Sequence, residues 1–208
     1  MFFNIKPVEK PMDSREIMIK TAFLEIYRNG YNATGINSIL DKSGLTKGAM
    51  YHHFKSKKEL VLASINEVMD GFLNEYWTVP LSESRDPVKT LEHQIRSVTD
   101  PLMKKKFYFE FKYGCPMNNL VQELSARDKD FALCLKKQYQ KWESSIEDAL
   151  RKGIKEKKIR KNINPGEVAT FIVASIEGCI MTAKIENSVP RYSSCIVPLI
   201  EYINSLNA

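Results

Sequence analysis

Apolar residues in this chain return every three or four positions, and the runs that carry them are cut by helix-stop and helix-start residues. That combination restricts the chain to helices joined by short turns. Over 13–29, Ile17, Ile19, Ala22, Phe23, Ile26 and Tyr27 keep helical spacing and stop at Asn29-Gly30. Thr34 precedes a short pattern carrying Ile36, Ile39 and Leu40, closed by Ser43-Gly44. Thr46 is placed to cap a second short helix over 47–53. Ser56-Lys57-Lys58-Glu59 then has Ser at N-cap and Glu at N3, a capping box that opens a longer helix over 57–77. After a loop at 78–87 the pattern predicts helices at 87–103, 116–125, 128–152, 165–187 and 192–205. Asn164-Pro165-Gly166-Glu167 is a start signal for the fourth of these, and Pro198 kinks the last or delays its start. No segment alternates polar and apolar residues as a strand would, so the expected fold is all-α.

At 208 residues the chain can bury a core without a disulfide or metal staple. Its 43% hydrophobic and 27% charged residues exclude wholesale disorder. Cys115, Cys134, Cys179 and Cys195 form no Cys-x-x-Cys pair, and His52, His53 and His93 add no ligand spacing, so neither a metal nor a cofactor is expected. The opening residues lack a signal-peptide pattern, and apolar runs such as 196–200 fall short of a membrane span; a cytoplasmic protein without a membrane partner is expected. The net charge is +6, and residues 1–63 hold ten Lys and Arg against six Asp and Glu. The positive excess is concentrated in the first third, which suits a polyanionic partner.

Residues 34–60 carry the chemistry. Ile36, Ile39, Leu40, Leu45 and Phe54 can share a small core, Ala49 lets two helices cross closely, and Gly44 supplies the positive φ of a sharp interhelical turn. The second short helix then presents Thr46, Lys47, Tyr51 and His52, donors suited to phosphates and major-groove base edges. Lys57 and Lys58 fall in the first turn of the next helix, where backbone N–H groups also face an anion. GLTKGAMYHHFKSKKEL resembles the DNA-binding signature of TetR-type (TetR/AcrR) transcriptional regulators, with a Gly turn, a recognition helix ending Tyr-x-x-Phe, and Ser-Lys-x-x-Leu. The resemblance implies a three-helix helix-turn-helix DNA-binding domain over 1–60 and a larger helical ligand-binding and dimerisation domain over 61–208. It implies a homodimeric repressor on a palindromic double-stranded DNA operator, released by a small-molecule inducer. By position, Thr34 and Thr46 resemble backbone-contacting caps, Lys47, Tyr51 and His52 recognition-helix contacts, and Lys57 the phosphate-contacting lysine. Leu40 departs from the usual Ala and Met50 from the usual Leu or Ile, while His53 is expected to pack or cap.

The larger region offers two readings of one pattern. Phe131, Leu135, Tyr139, Trp142, Ile146 and Ala149 form an apolar stripe that serves equally as core or as a cavity wall. Five aromatic residues within 107–113, with Met103 and Met117, suggest an adaptable apolar pocket. Met103, Phe107, Phe111, Tyr139, Trp142 and Phe171 are its expected lining, for a hydrophobic or aromatic inducer. The wide apolar faces of 165–187 and 192–205 predict a dimer interface. Cys115, ahead of Pro116, is either an inert buried thiol or a thiolate favoured by a helix N-terminus, and its Gly-Cys-x-x-x-Asn-Leu setting resembles family members that respond to oxidants or electrophiles. The basic run 151–161 reads as a solvated helix end. No phosphate loop, nucleophile elbow or His-Glu-x-x-His is present, so an enzyme is not expected; a helical enzyme and a constitutive structural DNA binder are the contrasting classes.

Overall fold

The computed structural model describes residues 12–208, and the described residues are helical apart from turns and one isolated antiparallel bridge, Ile159 to Asn207. Helix α1 (Ser14–Asn29) starts where the Asp13 carboxylate accepts from the Glu16 N–H. Helix α2 (Ile36–Ser43) begins on Gly35 with no side-chain cap and ends at Gly44, whose φ of 68° only glycine adopts readily. Helix α3 (Lys47–His53) is capped by Thr46, whose hydroxyl accepts from the Ala49 N–H at 3.2 Å. Helix α4 (57–83) opens on the expected Ser56 cap, whose Oγ accepts from the Glu59 N–H, while the Glu59 carboxylate accepts from the Lys55 N–H, one residue ahead of the cap. The remaining helices are α5 (Pro87–Ser97), α6 (Pro101–Phe107), α7 (Pro116–Leu124), α8 (Lys129–Lys155), α9 (Pro165–Glu186), α10 (Val189–Cys195) and α11 (Val197–Asn204).

Three boundaries differ from expectation, each through a proline. Residues 78–83 continue α4 across Pro80 instead of forming a loop, after two wide π-helical turns at Ile65–Met69 and Asn74–Thr78. Pro80 has no N–H for the Tyr76 carbonyl four residues back, and the Gln94 side-chain amide donates to that carbonyl instead, at 2.5 Å. The expected helix over 87–103 is broken before Pro101, where Asp100 caps a new start by accepting from the Leu102 N–H. The terminal helix starts earlier than 192, at Val189 behind the Ser188 cap, and divides at Ile196 ahead of Pro198.

The wide turns in α4 also fix what it buries. Ile65, Met69, Leu73, Trp77 and Leu81 are buried at strict spacings of four. On a regular α-helix a four-residue step drifts by about 40°, so such a row would wind away from a flat partner. The wider turns absorb the drift and keep one straight stripe against the larger core.

Two cores result. The smaller holds Met18, Ile19 and Ala22 of α1 with Ile39, Leu40, Met50, Phe54 and Leu60. The larger takes Phe23 and Ile26 from the same α1, Val61 and Ile65 from α4, and the inner faces of α5 and of α7 to α11. Helix α9 is long and apolar enough to cross a membrane by length and composition, although Glu167, Glu177 and Lys184 interrupt its apolar runs. Half of that apolar window is buried within the chain, and α8 is its main neighbour.

Phe54, 3% exposed, closes the small core from below α3. Phe54→Ala should cost about 3–5 kcal/mol of stability in urea unfolding monitored by circular dichroism.

Candidate nucleic-acid interface and the adjoining cavity

Around the tight turn at Gly44, α2 and α3 pack their apolar residues inward, which leaves one face of α3 to solvent. Thr46, Lys47, Tyr51 and His52 are exposed together on it, with Tyr51 55% exposed. A phenol so uncovered, beside an ammonium, an imidazole and a capping hydroxyl, makes a compact donor surface. His53 turns away and lies 2.9 Å from Ser14 Oγ, tying α3 to α1.

Two expected contacts are placed otherwise. Thr34 is buried, donates its hydroxyl to the Gly30 carbonyl at 2.7 Å and is not the cap of α2, so its side chain pins the α1–α2 turn from inside. Lys57 is half-buried; its ammonium donates to the Tyr31 carbonyl at 2.7 Å and sits 4.0 Å from the centre of the Tyr31 ring. Burial lowers its pKa, and its ammonium is engaged with the Tyr31 carbonyl and ring. The neighbouring Lys58 pairs with Asp128 at 2.8 Å and Asp130 at 2.7 Å, at the start of α8.

These lysines belong to a seam between the two cores. The Glu123 carboxylate on α7 accepts from the Tyr31 and Asn32 N–H groups at 2.9 and 2.7 Å. Tyr27 of α1 donates to the Glu110 and Gly114 carbonyls, and Tyr31 packs edge-on against Phe131 of α8. The turn following α6 is thus fastened to α1, and the turn following α1 to α7 and α8.

Beside the seam lies a cavity of about 440 Å³. Phe72, Tyr76 and Trp77 of α4, Met103 and Phe107 of α6, and Trp142 of α8 form its aromatic wall. Ile176 and Ile180 of α9 close the far side, and Ile19, Phe23 and Tyr27 bring α1 onto the near one. Phe72 and Tyr76 stack at 5.3 Å, and Trp77 meets Trp142 at 5.2 Å. Of the expected lining, Met103, Phe107 and Trp142 are here. Phe111 instead packs in the core against Tyr192, and Tyr139 donates to the buried Glu177 carboxylate at 3.2 Å. Phe171 is half exposed on the outer face of α9, against Tyr202. The wall residues of α4 and α1 were not among those expected. The four-residue recurrence of Val68, Phe72 and Tyr76 is the signal that points to them.

Cys115 also borders the cavity, half-buried at the start of α7. Burial, and then the nearby Glu177 carboxylate, raise its pKa well above the ordinary thiol range, which overrides any help from the helix N-terminus. That direction runs against the thiolate reading. No group of His, Cys, Asp or Glu able to hold a metal occurs among the described residues.

An exposed helix-turn-helix face fastened to a helical domain with an apolar cavity defines a DNA-binding regulator. Residues 18–64 match the model described as bacterial regulatory proteins of the tetR family, and 92–196 the tetracyclin repressor-like C-terminal domain. The HTH-type regulator in the lacX 3' region of Lactococcus lactis subsp. lactis is 32% identical over 77% of this chain and 78% of its own length. The HTH-type transcriptional regulator LmrA of Bacillus subtilis is 29% identical over 91% of this chain and 97% of its own. The crystal structure of a TetR-family regulator from Cytophaga hutchinsonii superposes with a TM-score of 0.83 at 18% identity, covering 96% of this chain and 99% of that one. The chain belongs to the TetR family of transcriptional regulators and is not an enzyme.

With its pKa raised by burial, the Cys115 thiol should react slowly. Its iodoacetamide alkylation at pH 7, followed by peptide mass spectrometry, should run more than about tenfold slower than in the unfolded chain. The rate should still be climbing above about pH 9.5, where an ordinary thiol levels off.

Proposed function

We propose that this protein is a homodimeric repressor that holds a palindromic operator through α3 and releases it when a flat hydrophobic or aromatic molecule fills the 440 Å³ cavity. The observation that carries this reading is the shared wall. Ile19, Phe23 and Tyr27 of α1 face the same space as Trp77 and Trp142, and α1 also forms one side of the small core under α3. A ligand that prefers one spacing of α1 and α8 therefore biases the position of the DNA-reading face, which is all that a population shift requires.

In this reading Lys47, Tyr51 and His52 touch DNA, with Thr46 capping α3 and presenting its backbone to a phosphate. The helices of a dimer would sit about 34–36 Å apart, one turn of DNA. A stripe on α9 supports self-association: Phe171, Met181 and Ile185 are 51%, 52% and 77% exposed, in line with Ala174 and Gly178. The space in front of Gly178 is open, so a second helix can approach the backbone there. Release through Cys115 is not favoured, since its thiolate is suppressed. Like other DNA-binding regulators, the protein would work in the cytoplasm without a membrane partner.

Selection from a random DNA pool should recover a palindrome with half-sites about a turn apart. Lys47→Ala should reduce the slope of log affinity against log salt by about one. Tyr51→Ala should lose about tenfold or more in affinity, and with it discrimination at the base it reads. Both side chains are exposed, so thermal midpoints should hardly move. Unchanged operator binding in the double variant would overturn the site.

Trp77 and Trp142 are the chain's two tryptophans, and both line the cavity. A planar aromatic inducer should quench their fluorescence at the concentrations that release operator. Release without quenching would place the inducer elsewhere.

A further inference from the structure

Helices α9 and α10 form a tight antiparallel hairpin. Asn187 takes a left-handed conformation at the end of α9, and the Ser188 N–H donates to the Ala183 carbonyl at 3.0 Å. Ser188 then caps α10 by accepting from the Arg191 N–H at 3.1 Å. Tyr192 anchors α10 inward: it is fully buried, its hydroxyl donates to the Ile95 carbonyl at 2.9 Å, and its ring packs on Phe111. The hairpin is thereby held at both its turn and its inner face.

Inside it two free cysteines meet. Cys179 of α9 is buried, Cys195 at the end of α10 is half-buried, and their sulfurs are 2.6 Å apart. That is about half an ångström longer than the covalent S–S bond of about 2.05 Å. Neither sulfur lines the aromatic cavity, but Ile176 and Ile180, on the same helix as Cys179, do. Nothing in the regulator reading uses this pair.

We propose that Cys179 and Cys195 are a dithiol site that closes to an intrachain disulfide when the protein meets a small hydroperoxide, and that the bond staples the α9–α10 hairpin behind the cavity. The more accessible Cys195 reacts first: its sulfur attacks the peroxide, the O–O bond breaks, and a sulfenic acid and one water (an alcohol, for an alkyl hydroperoxide) are formed. Cys179 sulfur then attacks the sulfenic sulfur; the S–S bond forms, the S–O bond breaks, and the hydroxide leaves as a second water with the Cys179 proton. Two thiols are oxidised and one peroxide is reduced. Cys179 suits the resolving role. Burial and its sulfur neighbour push its pKa up to about 12, so it is a poor first nucleophile, but it lies against the only atom it must attack. Oxidisable pairs of this kind in a reducing compartment are typically transient and sensory.

The test uses the full-length protein, fully reduced, freed of reductant and exposed to hydrogen peroxide. Thiol titration of the denatured protein should fall from four to two per chain. Intact mass should drop by two hydrogens, and peptide mapping should join the peptides carrying residues 179 and 195. Dithiothreitol should restore all four thiols, and the oxidised form should unfold at a higher temperature than the reduced one. Cys179→Ser and Cys195→Ser should each abolish the bond, while the double variant Cys115→Ser, Cys134→Ser should still form it. Circular dichroism would confirm that each variant folds. Disulfides between chains, oxidation confined to Cys115 or Cys134, or a pair that stays fully alkylatable after peroxide would overturn the proposal.

Discussion

One helix belongs to two cores, and the rest of the molecule depends on it. Met18, Ile19 and Ala22 of α1 pack under α2 and α3, while Phe23 and Ile26 of the same helix pack with α4 and the larger domain. Neither core is complete without α1, so the DNA-reading unit is not a bead on a string. The cap at Ser56 and the seam of Tyr27, Tyr31 and Glu123 add hydrogen bonds to a coupling that burial has already made. A boundary drawn at residue 60 cuts through α4 and separates Leu60 from Val61, which serve different cores.

Much of this could be read from residue order. Apolar spacing and caps located nearly every helix, because local hydrogen bonding and one-sided burial act on the sequence directly. The misses came from proline. Pro80 looked like a loop residue, yet the Gln94 amide gives the Tyr76 carbonyl the donor that the missing N–H withholds, and that partner is distant in sequence. The helix expected over 87–103 ran across Pro101, which instead opens a new one, and Pro198, expected to kink the last helix or delay its start, stands in the first turn of a separate helix.

The candidate sites divide along the same line. The exposed group Thr46, Lys47, Tyr51 and His52 follows from the short helix and its turn, so local pattern sufficed. The partners of Lys57 and Thr34, the Tyr31 and Gly30 carbonyls, were not legible because they depend on how the α1–α2 turn folds back. In the cavity, composition located the aromatic supply but not its direction. Phe111 turned into the core, Tyr139 toward Glu177 and Phe171 to the outer face, while α4 provided the wall. For Cys115, position at a helix start suggested activation, but burial beside a carboxylate is a three-dimensional fact and it dominates.

The two wide turns of α4 carry a consequence for how such a chain can change over generations. Each residue of a helix turns the chain by about 100°. Losing one residue within the first wide turn would swing Leu73, Trp77 and Leu81 together out of line with Ile65, and losing one within the second would carry Trp77 and Leu81 out of line with Leu73. Exchanging one side chain for another of similar volume in this segment costs only local packing. The connection between the two cores is therefore forgiving in composition and intolerant in length, and drift in this lineage should be recorded there as replacements, with insertions and deletions displaced to the turns between helices.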